Sequence, residues 1–300
     1  MMSLSAISGL SQKSVGAMAI LAACACVSIA NIISKDLLVP ASVLPMVFVQ
    51  VMASVIVVGI AAVATGRVPP RRDVVKLALP GILQPGLTYV FAFVGLSLVP
   101  VSVAGLLYAS ETAIVAVFAW VLLRERLTQS TLLSLGLGGI GVACLTGAGT
   151  SEAAFSTLAV LLILAGISCA ALDTIVARYL VRQSDPLTMT ATSLPMAALV
   201  VALAMLVTGD QSWVFLNEPS TLAGLVISGL ILHGLATILF NYALARLEAN
   251  EAAALFPTIS LMTALGGVGL LGERLSLVQI MGGAAILSSS VIALWRGRHE

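Results

Sequence analysis

Two acidic residues that could carry chemistry, Glu111 and Asp173, fall inside long apolar stretches of the sequence. All 14 lysines and arginines, and the other 11 of the 13 acids, fall between such stretches or within a few residues of their ends. His233 is a third ionisable residue within an apolar stretch. An ionised side chain in hydrocarbon costs at least about 2.5–3.5 kcal/mol, so each of the three is expected to face a cavity or a polar partner and is a functional candidate.

Each of these residues has a functional and a structural interpretation. Glu111 lies near the middle of its stretch, where it could carry a proton or bind a substrate amine, or could be a protonated acid bonded to a neighbouring helix. Asp173 precedes Arg178 by five residues and is either a second proton-coupling or gating residue or a locally paired one. His233 either orients a substrate or forms an interhelical hydrogen bond.

Other residues of the apolar stretches could complete a binding site. We expect six side chains to contact a substrate: Glu111, Gln84, His233, Asn241, Tyr89 and Tyr108. Proline frees a backbone carbonyl and permits bending, although such bends also occur in membrane proteins that do not move. Gating or hinge motion is expected at Asn31, Pro85, Gly86, Asp173 and Pro257.

The composition places these residues in a membrane. The chain has 300 residues, of which 60% are hydrophobic and 9% charged, whereas an average soluble domain is about 25% charged. Its mean hydropathy is +1.13. These values exclude a soluble globule, a disordered chain and a disulfide scaffold, and the net charge of +1 gives no basic surface for nucleic acid.

The apolar stretches predict membrane-spanning helices, because about 20 mostly apolar residues cross a hydrocarbon core about 30 Å thick. Ten spans are predicted, near 14–34, 43–65, 74–97, 101–123, 130–147, 157–178, 187–208, 220–245, 251–271 and 276–295. The first could instead be a secretory signal, because Lys13 precedes it and small residues close it.

The basic residues indicate how the spans are oriented. With the N-terminus in the cytoplasm, twelve of the 14 lysines and arginines fall in cytoplasmic segments. The opposite side holds only Lys35 and Arg274. This bias follows the positive-inside rule and requires an even number of spans, with both termini cytoplasmic.

The sequence also matches itself at an offset of 148 residues, most clearly where Glu125-Arg126-Leu127 falls on Glu273-Arg274-Leu275. Near an offset of 143, Lys35 falls on Arg178. We therefore expect two repeats of five spans, residues 1–150 and 151–300, although chance matches between apolar helices are common. An odd number of spans per repeat inverts the second copy, which is the architecture of alternating access.

Three segments resemble signatures of the EamA family in the drug/metabolite transporter superfamily. Residues 108–127 are similar to its fourth-span signature, 255–275 to its ninth-span signature, and 171–178 to its sixth-span pattern. The chain differs at Thr112, where proline is frequent, and lacks an aromatic residue that is frequent near Asp173. The resemblance implies an all-α integral membrane protein with ten transmembrane helices in two inverted repeats, a central cavity, and usually export of amino acids or other metabolites across the bacterial inner membrane.

Motifs for other functions are not found. There is no ATP-binding loop, the four cysteines lack zinc-ligand spacing, and no catalytic constellation is visible, so we expect no cofactor, metal or enzymatic activity. Spans without Lys or Arg disfavour phosphate-bearing substrates.

The expected function is export of an amino acid, amine or neutral metabolite by a proton-coupled secondary transporter. A facilitative uniporter or channel, multidrug efflux and an integral-membrane enzyme are the alternatives. The expected partners are the substrate, the lipid bilayer and protons. The sequence leaves substrate identity, the choice between monomer and homodimer, and the direction of transport open.

Overall fold

The computed structural model describes residues 11–38, 42–123, 133, 136–141, 144, 157–247, 252 and 255–296. Every regular element in these ranges is helical. The Glu125-Arg126 pair and most of the predicted fifth span, 130–147, lie outside the described residues.

The first half contains six described α-helices. They are α1 Gln12–Leu37, α2 Val43–Ala64, α3 Val74–Ala78, α4 Thr88–Ser97, α5 Val101–Tyr108 and α6 Glu111–Leu123. Capping explains where some of them begin: the Ser11 hydroxyl, for example, accepts a hydrogen bond from the Ser14 backbone N–H at the start of α1.

The second half contains six more. They are α7 Thr157–Val181, α8 Pro186–Thr208, α9 Pro219–Gly229, α10 Thr237–Leu244, α11 Pro257–Leu270 and α12 Leu277–Arg296. Asp185 caps α8 by accepting from the backbone N–H groups of Leu187 and Thr188, and Gly209 ends that helix with φ of 71°.

Six helical stretches are long and apolar enough to span a membrane: Gln12–Leu37, Val43–Ala64, Val74–Ser97, Thr157–Val181, Pro186–Thr208 and Pro219–Leu244. They coincide with predicted spans 1 to 3 and 6 to 8. Shorter apolar helices, Val101–Val115, Pro257–Leu270 and Leu277–Ser289, occupy predicted spans 4, 9 and 10. The membrane fold is therefore supported, and the count of ten spans stays a prediction.

Within the part of the chain that the structure describes, four of the predicted spans are interrupted rather than continuous. The third and eighth each contain a π-helical turn, Ile82–Leu87 and Leu230–Ala236, at equivalent positions of the two halves. In the first of these, Gln84 leaves helical geometry, with φ of −134° and ψ of 127°. The fourth span turns between α5 and α6, and the ninth turns just before α11. Such interruptions place polar backbone groups at membrane depth, which is tolerated where they are buried in protein or line a cavity.

The two halves interlock. Helix α1 packs against α9, α10 and α11 of the second half, and α7 packs against α4, α5 and α6 of the first. Helices α2 and α8 pack on each other, as do α5 and α11. Exchanging the two halves maps most of these contacting pairs onto one another.

Polar contacts gather at two opposite ends of the bundle. At one end, Arg67 forms an ion pair with Asp185 at 3.0 Å, and the Arg246 guanidinium donates to Gln12. At the other, the Asp210 carboxylate accepts from the Leu44 backbone N–H at 3.0 Å. Each contact joins segments that the sequence predicts to lie on the same side of the membrane.

Candidate substrate site

A central cavity lies between the halves. Its empty volume is about 990 Å³, open space at its mouth included, and its walls come from spans 1, 3, 4, 6, 7, 8 and 9. Seven of the predicted site residues line it: Asn31, Gln84, Tyr89, Tyr108, Glu111, Asp173 and Asn241. No lysine or arginine is among the described residues of its wall.

The cavity brings the two acids of the spans together. Glu111 is the first residue of α6, and Asp173 lies in α7 with 5% of its surface exposed. Both side chains line the same cavity although they belong to different halves. Since charges in an apolar environment interact strongly, a proton or a cation bound at one acid affects the other.

Two buried oxygen atoms on the cavity wall have no hydrogen-bond partner among the described residues. They are Oδ1 of Asn31, a residue 2% exposed, and Oδ1 of Asp173. Asn31 and Asp173 lie in the first helices of the two halves, α1 and α7. Buried polar atoms are nearly always hydrogen-bonded, so these acceptors mark places where a bound donor would be stabilised.

Aromatic rings form another part of the wall. Phe240 and Phe256 stack with ring centroids 5.7 Å apart and an interplanar angle of 26°. Tyr89 and Tyr108 line the cavity from spans 3 and 4, and Gln84 lines it beside them. The cavity therefore has aromatic rings as well as carboxyl groups in its wall.

Asn241 is held in place by helix α8. Its amide nitrogen donates to the Thr190 hydroxyl at 3.0 Å, and that hydroxyl donates to the Pro186 carbonyl at 2.9 Å. The amide N–H is thus engaged within the protein, which fixes the Asn241 side chain at the wall.

The other predicted site residues lie outside the wall. His233 is fully buried, and its ring stands perpendicular to that of Tyr89 with centroids 4.5 Å apart. Pro85 and Gly86 are buried in the first π-helical turn. Pro257 occupies the first turn of α11, where a proline fits without breaking the helix.

Sequence reasoning missed the apolar part of the wall, including Cys24, Met189, Phe240 and Phe256. Apolar residues in apolar spans carry no signal by their type. Helical spacing from Asn31 could have found Cys24, because residues 24, 27 and 31 recur on one face of α1.

A model of the EamA-like transporter family matches residues 14–147 and 157–295. The chain belongs to this family. A curated relative from Methanothermobacter thermautotrophicus (strain Delta H), named "Uncharacterized transporter", is 24% identical over 231 residues. The match covers 76% of this chain and 66% of the relative's length.

A solved structure described as "Crystal structure of protein" has a TM-score of 0.62 and 20% identity, covering 96% of this chain and 98% of its own. At that identity the likeness concerns the fold alone. This EamA-like chain is an integral membrane protein of a transporter family, and the family and relative names indicate a transporter rather than an enzyme.

Proposed function

We propose that the protein is a secondary transporter that exports a small organic solute across the bacterial inner membrane by alternating access, in exchange for protons. The observation that carries the proposal is the central cavity, because both halves build it and each contributes one acid, Glu111 or Asp173. A solute bound there touches both halves, so its binding can bias their relative arrangement.

Alternating access is supported by the repetition within the chain. The family model matches twice, over segments of similar length, and most helix contacts persist when the halves are exchanged. Five spans in each half would invert the second copy. The two halves could then exchange conformations and open the cavity to either side in turn.

The interrupted spans supply places for motion. Both π-helical turns and the turn before Glu111 border the cavity, so a change in these turns alters the cavity wall directly. Discontinuous helices of this kind form substrate sites in many transporter folds.

Proton exchange follows from the chemistry of a buried carboxyl group. An ionised carboxylate in an apolar cavity is costly unless a positive charge accompanies it. Either a proton or a substrate cation can supply that charge, so the two compete for the same oxygen atoms. Release of the proton to one side and binding of one monovalent cation leave the net charge of the cavity unchanged.

The orientation with both termini in the cytoplasm is part of the proposal. It is supported by the clustering of predicted cytoplasmic residues at one end of the bundle, where Arg67 binds Asp185 and Arg246 binds Gln12.

Transport into proteoliposomes under an imposed pH gradient tests this function. Suitable radiolabelled probes are the amino acids and 2-phenylethylguanidine, a permanent cation that crosses lipid poorly. We expect the gradient to accelerate uptake of at least one probe. Glu111→Gln should abolish that acceleration, because the amide cannot carry a proton.

The matched control is Glu218→Gln, since Glu218 is an exposed acid that makes no capping bond at the start of α9. It should transport like the wild type. Uptake that is independent of the pH gradient in both wild type and Glu111→Gln would contradict proton exchange and favour a uniporter. The absence of uptake for every probe would contradict the proposal.

A further inference from the structure

We infer that the cavity selects organic cations, namely a protonated amine or guanidine with an apolar or aromatic body, over zwitterionic amino acids and organic anions. This inference rests on the proposed function, because it names the class of solute that the transporter moves.

The first observation is the charge of the cavity wall. Glu111 and Asp173 both face the cavity, and no basic residue does so among the parts of the wall that the structure describes. A cation would therefore be attracted by two carboxyl groups. The carboxylate of an amino acid would be repelled by them and would find no opposite charge.

The nearest basic side chains at the cavity's ends are engaged elsewhere. Lys35 donates to the Leu96 carbonyl at 2.8 Å, and Arg178 donates to the Leu244 carbonyl at 3.1 Å. The amide N–H of Asn241 is engaged by Thr190. These donors thus already form bonds within the protein, which lowers what a substrate carboxylate would gain from them.

The second, independent observation concerns the buried polar atoms of the wall that have no hydrogen-bond partner. Both buried atoms without a partner among the described wall residues, Oδ1 of Asn31 and Oδ1 of Asp173 in its ionised form, are acceptors. A ligand that satisfies them must donate hydrogen bonds. Ammonium and guanidinium groups carry several N–H donors and no acceptor, which matches this requirement.

The aromatic rings account for the body of the ligand. Tyr89, Tyr108 and the stacked Phe240 and Phe256 place aromatic rings, which have electron-rich faces, in the cavity wall. Such faces attract cations and bury apolar groups, so a phenyl or alkyl body next to a cationic head fits both features of the wall.

Binding of three matched compounds to the purified full chain tests the inference. 2-Phenylethylamine, phenylalanine and 3-phenylpropionate share an aromatic body and differ in charge. Titration calorimetry in detergent at neutral pH should give an affinity for the amine at least about tenfold above those for the other two. Asp173→Asn should remove most of this preference, whereas Glu218→Gln should keep it.

Equal or tighter binding of phenylalanine or 3-phenylpropionate would overturn the inference. The proteoliposome assay separates this failure from failure of the proposed function. Transport of phenylalanine without transport of 2-phenylethylguanidine would retain the transporter and refute the cation selectivity. Tight binding of the amine without any transport would retain the selectivity and refute the transporter.

A second inference comes from the bonds at the cavity's two ends. The bond from Lys35 to the Leu96 carbonyl joins the end of α1 to the end of α4. The bond from Arg178 to the Leu244 carbonyl joins α7 to the end of α10. Lys35 and Arg178 are 143 residues apart and Leu96 and Leu244 are 148 apart, which are the offsets at which the sequence matches itself.

Each bond lies about one helical turn beyond the cavity wall. Asn31 and Ala92 line the cavity. Lys35 follows Asn31 by four residues, and Leu96 follows Ala92 by four residues. At the opposite end, Arg178 follows Asp173 by five residues and Leu244 follows Asn241 by three. Both bonds therefore bridge helices on either side of the cavity just beyond its wall.

We propose that each of these two bonds is a gating latch. A latch here is a hydrogen bond that holds one end of the cavity closed and breaks when that end opens. The Lys35 latch is supported by Glu273, with which the ammonium interacts electrostatically. Both bonds are formed in this structure, and alternating access requires that one breaks while the other stays intact.

Labelling of Cys24 tests the latches, because this thiol lines the cavity and is 1% exposed. The background variant carries Cys26→Ala, Cys144→Ala and Cys169→Ala. Lys35→Met should accelerate labelling by a membrane-impermeant thiol reagent at least about fivefold from the Lys35 side only, as the gate on that side loses its bond. Arg178→Met should do so from the opposite side only.

Arg71→Met is the control, since it removes an exposed cation at the same end as Arg178. Lys35→Arg and Arg178→Lys retain a donor and should label like the background. Should a methionine variant fail to fold, Lys35→Gln or Arg178→Gln gives the same comparison. Acceleration from the wrong side, or unchanged labelling in folded variants, would overturn the proposal.

Discussion

His233 and Asp173 are both deeply buried ionisable residues, yet their surroundings differ. Asp173 faces the cavity, whereas His233 packs edge to face against Tyr89 and lies behind the wall. Neither ring nitrogen of His233 has a hydrogen-bond partner among the described residues. The imidazole therefore contributes through its shape more than through its polar atoms.

We accordingly predict that His233→Phe leaves transport of 2-phenylethylguanidine within about twofold of wild type and does not lower the melting temperature. Phenylalanine can keep the perpendicular contact with Tyr89, and it removes two polar atoms that gain nothing from burial. Thermal unfolding in detergent and uptake assays measure both effects. Loss of transport in a variant of unchanged stability would show that the imidazole acts on the substrate.

At this scale, polarity made part of the site predictable. Rare polar residues in apolar spans identified Glu111 and Asp173, and the structure brings both to one cavity. The direction in which the His233 side chain points was not predictable. The π-helical turn that contains this residue inserts extra backbone and rotates the residues that follow, relative to a regular helix.

Among the helices, two glycines mark where the backbones of the two halves approach closely. A Cβ atom on Gly81 would overlap the Ser193 carbonyl, and one on Gly229 would lie 2.5 Å from Cα of Gln50. The first contact joins spans 3 and 7, and the second joins spans 8 and 2. They are therefore the same contact with the halves exchanged.

We predict that Gly81→Ala and Gly229→Ala each lower the melting temperature by several degrees, because overpacking of this kind costs about 1–3 kcal/mol. Gly59→Ala is the matched control in α2, where no atom lies within 4 Å of an added Cβ, and it should leave stability equal or higher. Differential scanning fluorimetry in detergent compares the three. Equal stability of all three variants would show that the helices can separate at no cost.

The length and hydrophobicity of the apolar stretches made the helices predictable, with described bounds within a few residues of those expected. Their interruptions were only partly predictable. Pro85 signalled the break in span 3, but its equivalent in span 8 is His233, a residue that carries no such signal. The second π-helical turn packs against α1 and α2, contacts that its local sequence does not reveal.

The whole molecule is an interlocked pair of halves rather than two adjacent domains. Helix α1 lies among helices of the second half and α7 among helices of the first. Neither half would bury its polar residues alone, since Asn31 and Asp173 face a cavity that exists only between them.

We predict that residues 1–150 and 151–300, expressed together as separate chains, co-purify and transport 2-phenylethylguanidine. Each expressed alone should be degraded or aggregate, because its interior faces would be left without partners. A tag on one half and immunodetection of the other measure the association. A single half that is stable and active by itself would contradict the interlocked arrangement.

One contact between the halves also bears on how the chain is made. The Glu273 carboxylate accepts hydrogen bonds from the backbone N–H groups of Val101 and Ser102 at 2.7 and 2.8 Å, which caps the start of α5. This cap lies 171 residues downstream of Ser102. During synthesis, the fourth span must therefore wait in the membrane with its first N–H groups uncapped until the ninth has been inserted.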